Sequence, residues 1–284
     1  MRGCLAIAAQ HGIHSSVPTV MHSRSNIVVH LRPAPVVARI SLANAAVRED
    51  VDEWFAREVS VVRFLAEWGA PVIPLSDLLP PGPHKTGAAW VTFWTFVDHD
   101  PRRTPSPVTT ASLLAELHEA LRHYPGQLPY LPQALTELEA NLSLLTRSPG
   151  PHSAFMPLLH HEFSALLPTI EKARGRARPL HGDAHPGNLL VSAAGPLWAD
   201  FEDVAAGPAE WDVACVARRT PHMIRPILKA FGDELSEPDM RVYLRARALQ
   251  RVVWIATSAL YMPERRTRAA QELDVWRHHA ADEL

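Results

Sequence analysis

The chain has 284 residues, 28 basic against 30 acidic, with 47% hydrophobic and 20% charged side chains. This composition excludes wholesale disorder, and a near-zero net charge supplies no basic field to drive binding to nucleic acid or to an anionic membrane surface. A single core rarely grows past ~250–300 residues, so this length suits two lobes.

The opening Met1–Gln10 has one basic residue and an apolar run too short for a secretory signal, and it reads as a mobile or helical start. Charges interrupt every later apolar stretch before it reaches the ~20 residues that cross a bilayer, so a soluble chain and no membrane partner are expected. Cys4 and Cys215 are too few and too far apart for a disulfide framework or a thiolate metal site, which fits a reducing cytoplasm.

Residues 26–31 and 36–41 are β-branched runs around Arg32-Pro33-Ala34-Pro35, the pattern of a hairpin. From Asp50 to Trp68 the residues Val51, Trp54, Phe55, Val62 and Leu65 recur at helical spacing, and Gly69 and Pro71 supply the stop. Residues 88–97 predict another strand before the proline-rich stretch from Asp98 to Pro107. Beyond it the pattern turns helical. Thr110 is the expected cap of a helix striped by Leu113, Leu114, Leu117 and Leu121, and further helices are expected over 133–147, 155–174, 209–218, 239–261 and 265–281. The exception is a short hairpin of Leu189-Leu190-Val191 and Leu197-Trp198-Ala199.

Asp183, Asn188 and Asp200 flank that hairpin and bring three oxygen-bearing side chains toward one end of it. Mg²⁺ takes oxygen ligands in octahedral geometry, a task that suits Asn188 and Asp200. A further carboxylate can orient and accept the proton of an attacking hydroxyl, which is the task expected of Asp183. Together they describe phosphoryl transfer. A zinc site on His181 and His185, four residues apart, is the rival; Gly182, Pro186 and Gly187 disfavour the helix such a pair needs.

The string His181-Gly182-Asp183-Ala184-His185-Pro186-Gly187-Asn188, followed by Asp200-Phe201-Glu202, resembles the aminoglycoside phosphotransferase and choline kinase-like family, relatives of the protein kinases. The resemblance implies an α+β, bilobal protein kinase-like fold. In it residues 1–97 form a small nucleotide-binding lobe ending in a hinge, and residues 98–284 form a larger, mainly helical lobe for catalysis and the acceptor. It also implies ATP, with GTP left open as donor, Mg²⁺, and a small-molecule hydroxyl acceptor. Gly207-Pro208-Ala209-Glu210-Trp211-Asp212 looks like the family's segment after the metal-binding aspartate, which assigns Asp212 to bracing the catalytic loop. His181 is expected to hold that loop by hydrogen bonds, His185 to line the cleft, and Glu202 to support the site.

Kinases pair a strand lysine with a helix glutamate, and the matching strand here carries Arg39, in a chain with only three lysines. Glu58 is its expected partner, because it falls on the apolar face of the helix at 50–68 and a carboxylate there needs a buried partner. In place of a glycine-rich phosphate cover stands Ser23-Arg24-Ser25-Asn26, so Ser25 and Asn26 are candidate phosphate contacts. Trp94 and Phe96 lie in a segment resembling the hinge that reads adenine. His118 is expected to be a satisfied core histidine outside the site.

The acceptor is not specified by the sequence, nor is the oligomeric state. Many arginines between Arg241 and Arg251 disfavour a polycationic antibiotic, and Trp254, Tyr261 and Trp276 are candidate walls for a choline-like cation. Two alternatives are a nucleotide-binding pseudokinase, suggested by the missing glycines and by Arg39, and a protein kinase.

Overall fold

The computed structural model describes residues 1–23, 26–41, 50–232 and 235–281. The chain divides into two compact units, one of residues 1–106, 119–125 and 186–204, the other of 107–118, 126–185 and 205–284.

In the first unit the β-branched runs pair as expected. Strands β1 (Val17–Ser23), β2 (Asn26–Arg32), β3 (Val36–Ser41), β4 (His84–Thr86) and β5 (Ala89–Thr95) form an antiparallel sheet in the order β1-β2-β3-β5-β4. The opening residues form helix α1 (Arg2–Gln10), whose Cys4 and Ala8 pack with Val29, Leu31, Val36, Ala38, Ile40, Val91 and Phe93 on the sheet. Because successive strand side chains point to opposite faces, Ala38 and Ile40 in that core send Arg39 to the other face. Helix α2 (Val51–Trp68) turns Val51, Trp54, Phe55, Glu58, Val62 and Leu65 inward, and Gly69 at φ 84° ends it in the left-handed cap that glycine adopts without strain. The short hairpin of β7 (Leu189–Ser192) and β8 (Gly195–Trp198) also belongs to this unit, as does Asn188 before it and Asp200 after it.

The second unit is mainly helical. It holds α4 (Thr136–Arg147), α5 (Met156–Lys172), α6 (Glu210–Ala217), α7 (Ile224–Phe231), α8 (Glu237–Tyr261) and α9 (Arg266–Ala281), with most of α3 (Pro107–Leu121). A two-stranded sheet pairs β6 (Arg178–Leu180) with β9 (Ala205–Gly207). Every residue of α6 is buried, the mark of a helix enclosed on all sides. It carries Asp212 at its first turn and delivers the chain to Arg218.

Several sequence expectations need correction. Helix α3 begins at Pro107, so Thr110 is a buried interior residue and not the cap. Proline at a helix start carries no unmet N–H and is preset in φ, which explains the earlier start. The strand expected to run to residue 97 ends at Thr95, and β8 ends at Trp198 before Ala199. Strands β1, β4, β6 and β9 and helix α7 were not expected. Nor do the three aromatics make an obvious cation box: Arg265 lies over Trp254 at 5.3 Å, Trp276 is buried in helix packing and Tyr261 is largely exposed.

Candidate active site

Two clusters of charge form, one in each unit. In the first unit Arg39 is the hub. Its Nη1 donates to Glu58 Oε1 at 2.5 Å, and its Nη2 reaches both Asp200 Oδ1 at 2.6 Å and Glu202. Its guanidinium also sits 5.3 Å from the Phe55 ring. Glu58 is fully buried while the Asp200 side chain remains 44% exposed. Burial pushes the Glu58 carboxyl above its ordinary range, with Arg39 pulling the other way. Burial would lower Arg39, yet Glu58, Asp200 and Glu202 together raise it. Glu202 accepts a second hydrogen bond from Asn26 Nδ2 at 2.9 Å.

Three carboxylates against one guanidinium leave an excess of negative charge. Asp200 adds a backbone signal, since its φ of 67° is rare for a residue with a side chain and such conformations gather at functional sites. The backbone carbonyl of Asn188 accepts from the Ala199 N–H at 2.9 Å, so the hairpin brings Asn188 beside the residue before Asp200. Oxygen donors and negative charge of this kind are what a hard dication takes, although no three carboxylates among the described residues are arranged to hold one.

Other expected nucleotide contacts are placed as follows. Ser25 lies outside the described residues. Trp94 is buried, with its indole N–H on Thr92 Oγ1 at 2.9 Å. Phe96 stacks on His30 with ring centres 3.8 Å apart, and its backbone N–H donates to Pro35 O at 2.9 Å.

In the second unit the loop carrying Asp183 is tied down on all sides. Asp212, fully buried, accepts from the backbone N–H of His181 at 2.8 Å, that of Gly182 at 2.9 Å, and His118 Nε2 at 2.8 Å. Burial opposes the charge on Asp212, but these donors hold its carboxyl below the ordinary range. Gly182 takes φ 88°, and its carbonyl accepts from Trp211 Nε1 at 2.9 Å. His181 is buried and its Nδ1 accepts from the Asp183 N–H at 3.3 Å, which assigns the ring proton to Nε2. His118, expected to lie apart, is therefore part of the brace.

Asp183 meets two arginines that the sequence did not single out. Arg247, on α8 with its side chain only 3% exposed, donates to Asp183 Oδ1, and Arg218 Nη1 approaches that same oxygen at 3.7 Å. His185 Nε2 lies 3.5 Å from Oδ2. Burial would raise the Asp183 carboxyl, yet Arg247, His185 and Arg218 hold it well below the carboxylate range. Burial, only partly offset by Asp183, drives His185 down to about 4, so its imidazole is neutral at neutral pH. Among the described residues no group of three or more His, Cys, Asp or Glu side chains is arranged to hold a metal, which removes support from the zinc reading of His181 and His185.

The phosphotransferase enzyme family matches residues 1–249. No curated protein matches in sequence. Among solved structures, a microcompartment-associated aminopropanol kinase is similar at 15% identity and TM-score 0.68, covering 98% of each chain. The choline kinase LicA of Streptococcus pneumoniae is similar at 13% identity and TM-score 0.62, over 96% of this chain and 99% of that one. Spectinomycin phosphotransferase APH(9)-Ia, solved with ADP and spectinomycin, is similar at 13% identity and TM-score 0.61, over 98% of this chain and 93% of that one.

Proposed function

Because the chain belongs to the phosphotransferase enzyme family and shares the protein kinase-like fold of the small-molecule kinases above, we propose that it transfers the γ-phosphoryl group of ATP to a hydroxyl of a small molecule in the cytoplasm. The observation that carries this reading is Arg39, which pairs at once with the helix carboxylate Glu58 and with Asp200 and Glu202. That is the arrangement a kinase uses to hold phosphates and metal, with arginine in place of lysine. Two buried free thiols, Cys4 and Cys215, suit a reducing compartment.

The first unit takes the nucleotide. Arg39 contacts the phosphates and Glu58 fixes it, Asn26 orients Glu202, and residues 94–96 close the nucleotide lobe of residues 1–97. Magnesium, when bound, neutralises phosphate charge, and Asn188 and Asp200 would hold it. The acceptor falls to residues 98–284, where Asp183 orients the hydroxyl. The acceptor oxygen forms a bond to the γ-phosphorus while the bond from that phosphorus to the bridging oxygen breaks. The electron pair leaves on ADP, and the hydroxyl proton passes to Asp183 and then to water. Asp183 is a weak base in this setting. A loose transition state asks it for orientation and negative charge more than for basicity.

The test is acceptor-dependent ADP release over sugars, aminoglycosides, macrolides and amino alcohols, run with ATP and with GTP. Asp183→Asn, nearly isosteric but uncharged, should keep Mg-ATP affinity and lower single-turnover rates by ~10²–10⁴-fold. A rate within about twofold of wild type, far inside that range, removes Asp183 from the role.

A further inference from the structure

We infer that the acceptor is itself an anion, a small alcohol bearing a carboxylate or phosphate close to its reacting hydroxyl, and that Arg218 is the residue that recognises it. This deepens the kinase reading and rests on Asp183 as the hydroxyl's partner.

The first ground is geometry. Arg247 and Arg218 converge on one oxygen of Asp183, Oδ1, while Oδ2 faces His185. The two arginines differ in what they have left to offer. Arg247 is buried, bonded to Asp183, within 3.4 Å of the Gly182 carbonyl and 4.9 Å over the Trp211 ring, so it is fixed and positions the carboxylate. Arg218 stands 3.7 Å from Asp183, beyond hydrogen-bond range, and makes no side-chain hydrogen bond among the described residues, although its side chain is only 22% exposed. Guanidinium has five donors. None of its nitrogens is a buried polar atom lacking a partner, so its donors keep access to solvent and are open to an anionic ligand that would take the place of water. Arg218 directly follows helix α6, and a cation at a helix C-terminus is ordinary. What sets this one apart is that it also lies 3.7 Å from Asp183.

The second ground is the state of the surrounding carboxylates. A polycationic or choline-like acceptor needs carboxylates to meet its ammonium groups. In this unit several acids are taken: Glu162 by Nε and Nη2 of Arg245, Glu272 by Nη1 and Nη2 of Arg251, and Glu210 by Arg176. Asp183 carries two guanidiniums of its own. With His185 neutral, the two guanidiniums Arg218 and Arg247 are balanced by the two carboxylates Asp183 and Asp212, so an ammonium group arriving here finds no carboxylate to spare. A carboxylate or phosphate forms charge-assisted, bidentate bonds with Arg218. Because Arg218 lies so near Oδ1, the anionic group must sit close along the molecule to the hydroxyl being phosphorylated.

The experiment uses the full-length protein and probes built on one three-carbon skeleton: glycerate, glyceramide, aminopropanediol and glycerol phosphate. Calorimetry measures binding of each to wild type and to Arg218→Gln, and ADP release is followed with the same probes at saturating Mg-ATP. Wild type should bind glycerate or glycerol phosphate at least about tenfold tighter than the amide or the amine, as a charge-assisted pair implies. Arg218→Gln should erase that preference while its unfolding midpoint and Mg-ATP affinity stay at wild-type values. The stronger of the two anionic arms tells carboxylate from phosphate. Equal or tighter binding of the amine, no binding of either anion, or an anion affinity unchanged in Arg218→Gln overturns the inference. ADP release driven by the amine overturns it too and leaves the kinase reading standing. Anion binding that depends on Arg218, with no ADP release for any hydroxyl compound, keeps the anion site and removes the kinase reading.

Discussion

Replacing Arg39 by methionine keeps most of the stem's apolar contact and deletes the charge that three carboxylates share. The consequences differ by burial. Asp200, 44% exposed, turns to water, and Glu202 keeps Asn26, but Glu58 has no exposed surface at all. Glu58 must then be neutralised inside the fold. Protonating a carboxyl of ordinary pKa, about 4.3, at about pH 7.5 costs about 4 kcal/mol, at 1.36 kcal/mol per unit, and this agrees with the ~3–5 kcal/mol seen when one partner of a buried pair is removed. The sign with pH follows. In the variant the Glu58 pKa is raised further in the folded state, so folding takes up a proton, and stability is present at low pH and lost as pH rises. Urea unfolding should therefore show Arg39→Met destabilised by roughly 3–5 kcal/mol at about pH 7.5 and by less at about pH 5.5, a difference limited because Glu58 is already raised in the wild type. The double variant Arg39→Met with Glu58→Gln should recover part of the loss at the higher pH. A loss below about 1 kcal/mol, which is ordinary for any substitution, or one that does not change with pH, refutes the reasoning.

His185 should remain neutral down to about pH 4 when its ring protons are titrated by NMR. Because that pKa is depressed, its contribution to stability is present above the ordinary histidine range and lost as pH falls toward about 4, a slope that His185→Gln should remove. Asp212→Asn places an amide N–H₂ against one of three donors, from His181, Gly182 and His118. It should cost roughly 2–4 kcal/mol in urea unfolding, and a change under about 0.5 kcal/mol contradicts the bracing role. Cys4 and Cys215 are buried with thiols pushed up by burial, so neither should react with iodoacetamide in the native protein and both should react in urea.

The parts of this molecule that show in its sequence are those written locally. The β-branched runs around the Pro-rich turn in residues 26–41 announce paired strands, a period of about 3.6 in residues 51–68 reports which face of the helix is buried, and a single polar residue breaking that apolar face, Glu58, announces its need for a partner. His181 and Asp212 were legible because each sits in its own short string of residues, 181–188 and 207–212. What stayed hidden is carried by pairing between distant segments. Strand β1 alternates weakly because it lies at the sheet's edge and is largely exposed. Strands β6 and β9 have three residues each, too few for a period to emerge. His118 looked like a core residue because it is one; only its Nε2, directed at a carboxylate 94 residues away, gives it a second role.

Arg247 is the plainest case. It comes 64 residues after Asp183, on a 25-residue helix where arginines recur and each looks like a solvated charge. The one sign available was that Arg247 lies four residues after Tyr243 and seven after Met240, both buried on α8, so that it shares their inward face. A buried arginine demands an anion, and the anion nearest to hand is the residue the sequence had already put forward for catalysis. That pairing fixes what Asp183 can do. Held far below its ordinary pKa, it stays charged throughout any physiological pH and is a poor proton sink. A reaction limited by proton removal would be ill served. Phosphoryl transfer through a loose transition state needs the acceptor oxygen aligned on phosphorus, and it releases the proton once the bond to phosphorus has lowered that oxygen's basicity. A carboxylate fixed by a buried arginine on one oxygen, with His185 3.5 Å from the other, would meet that need better than a freely rotating base of ordinary strength.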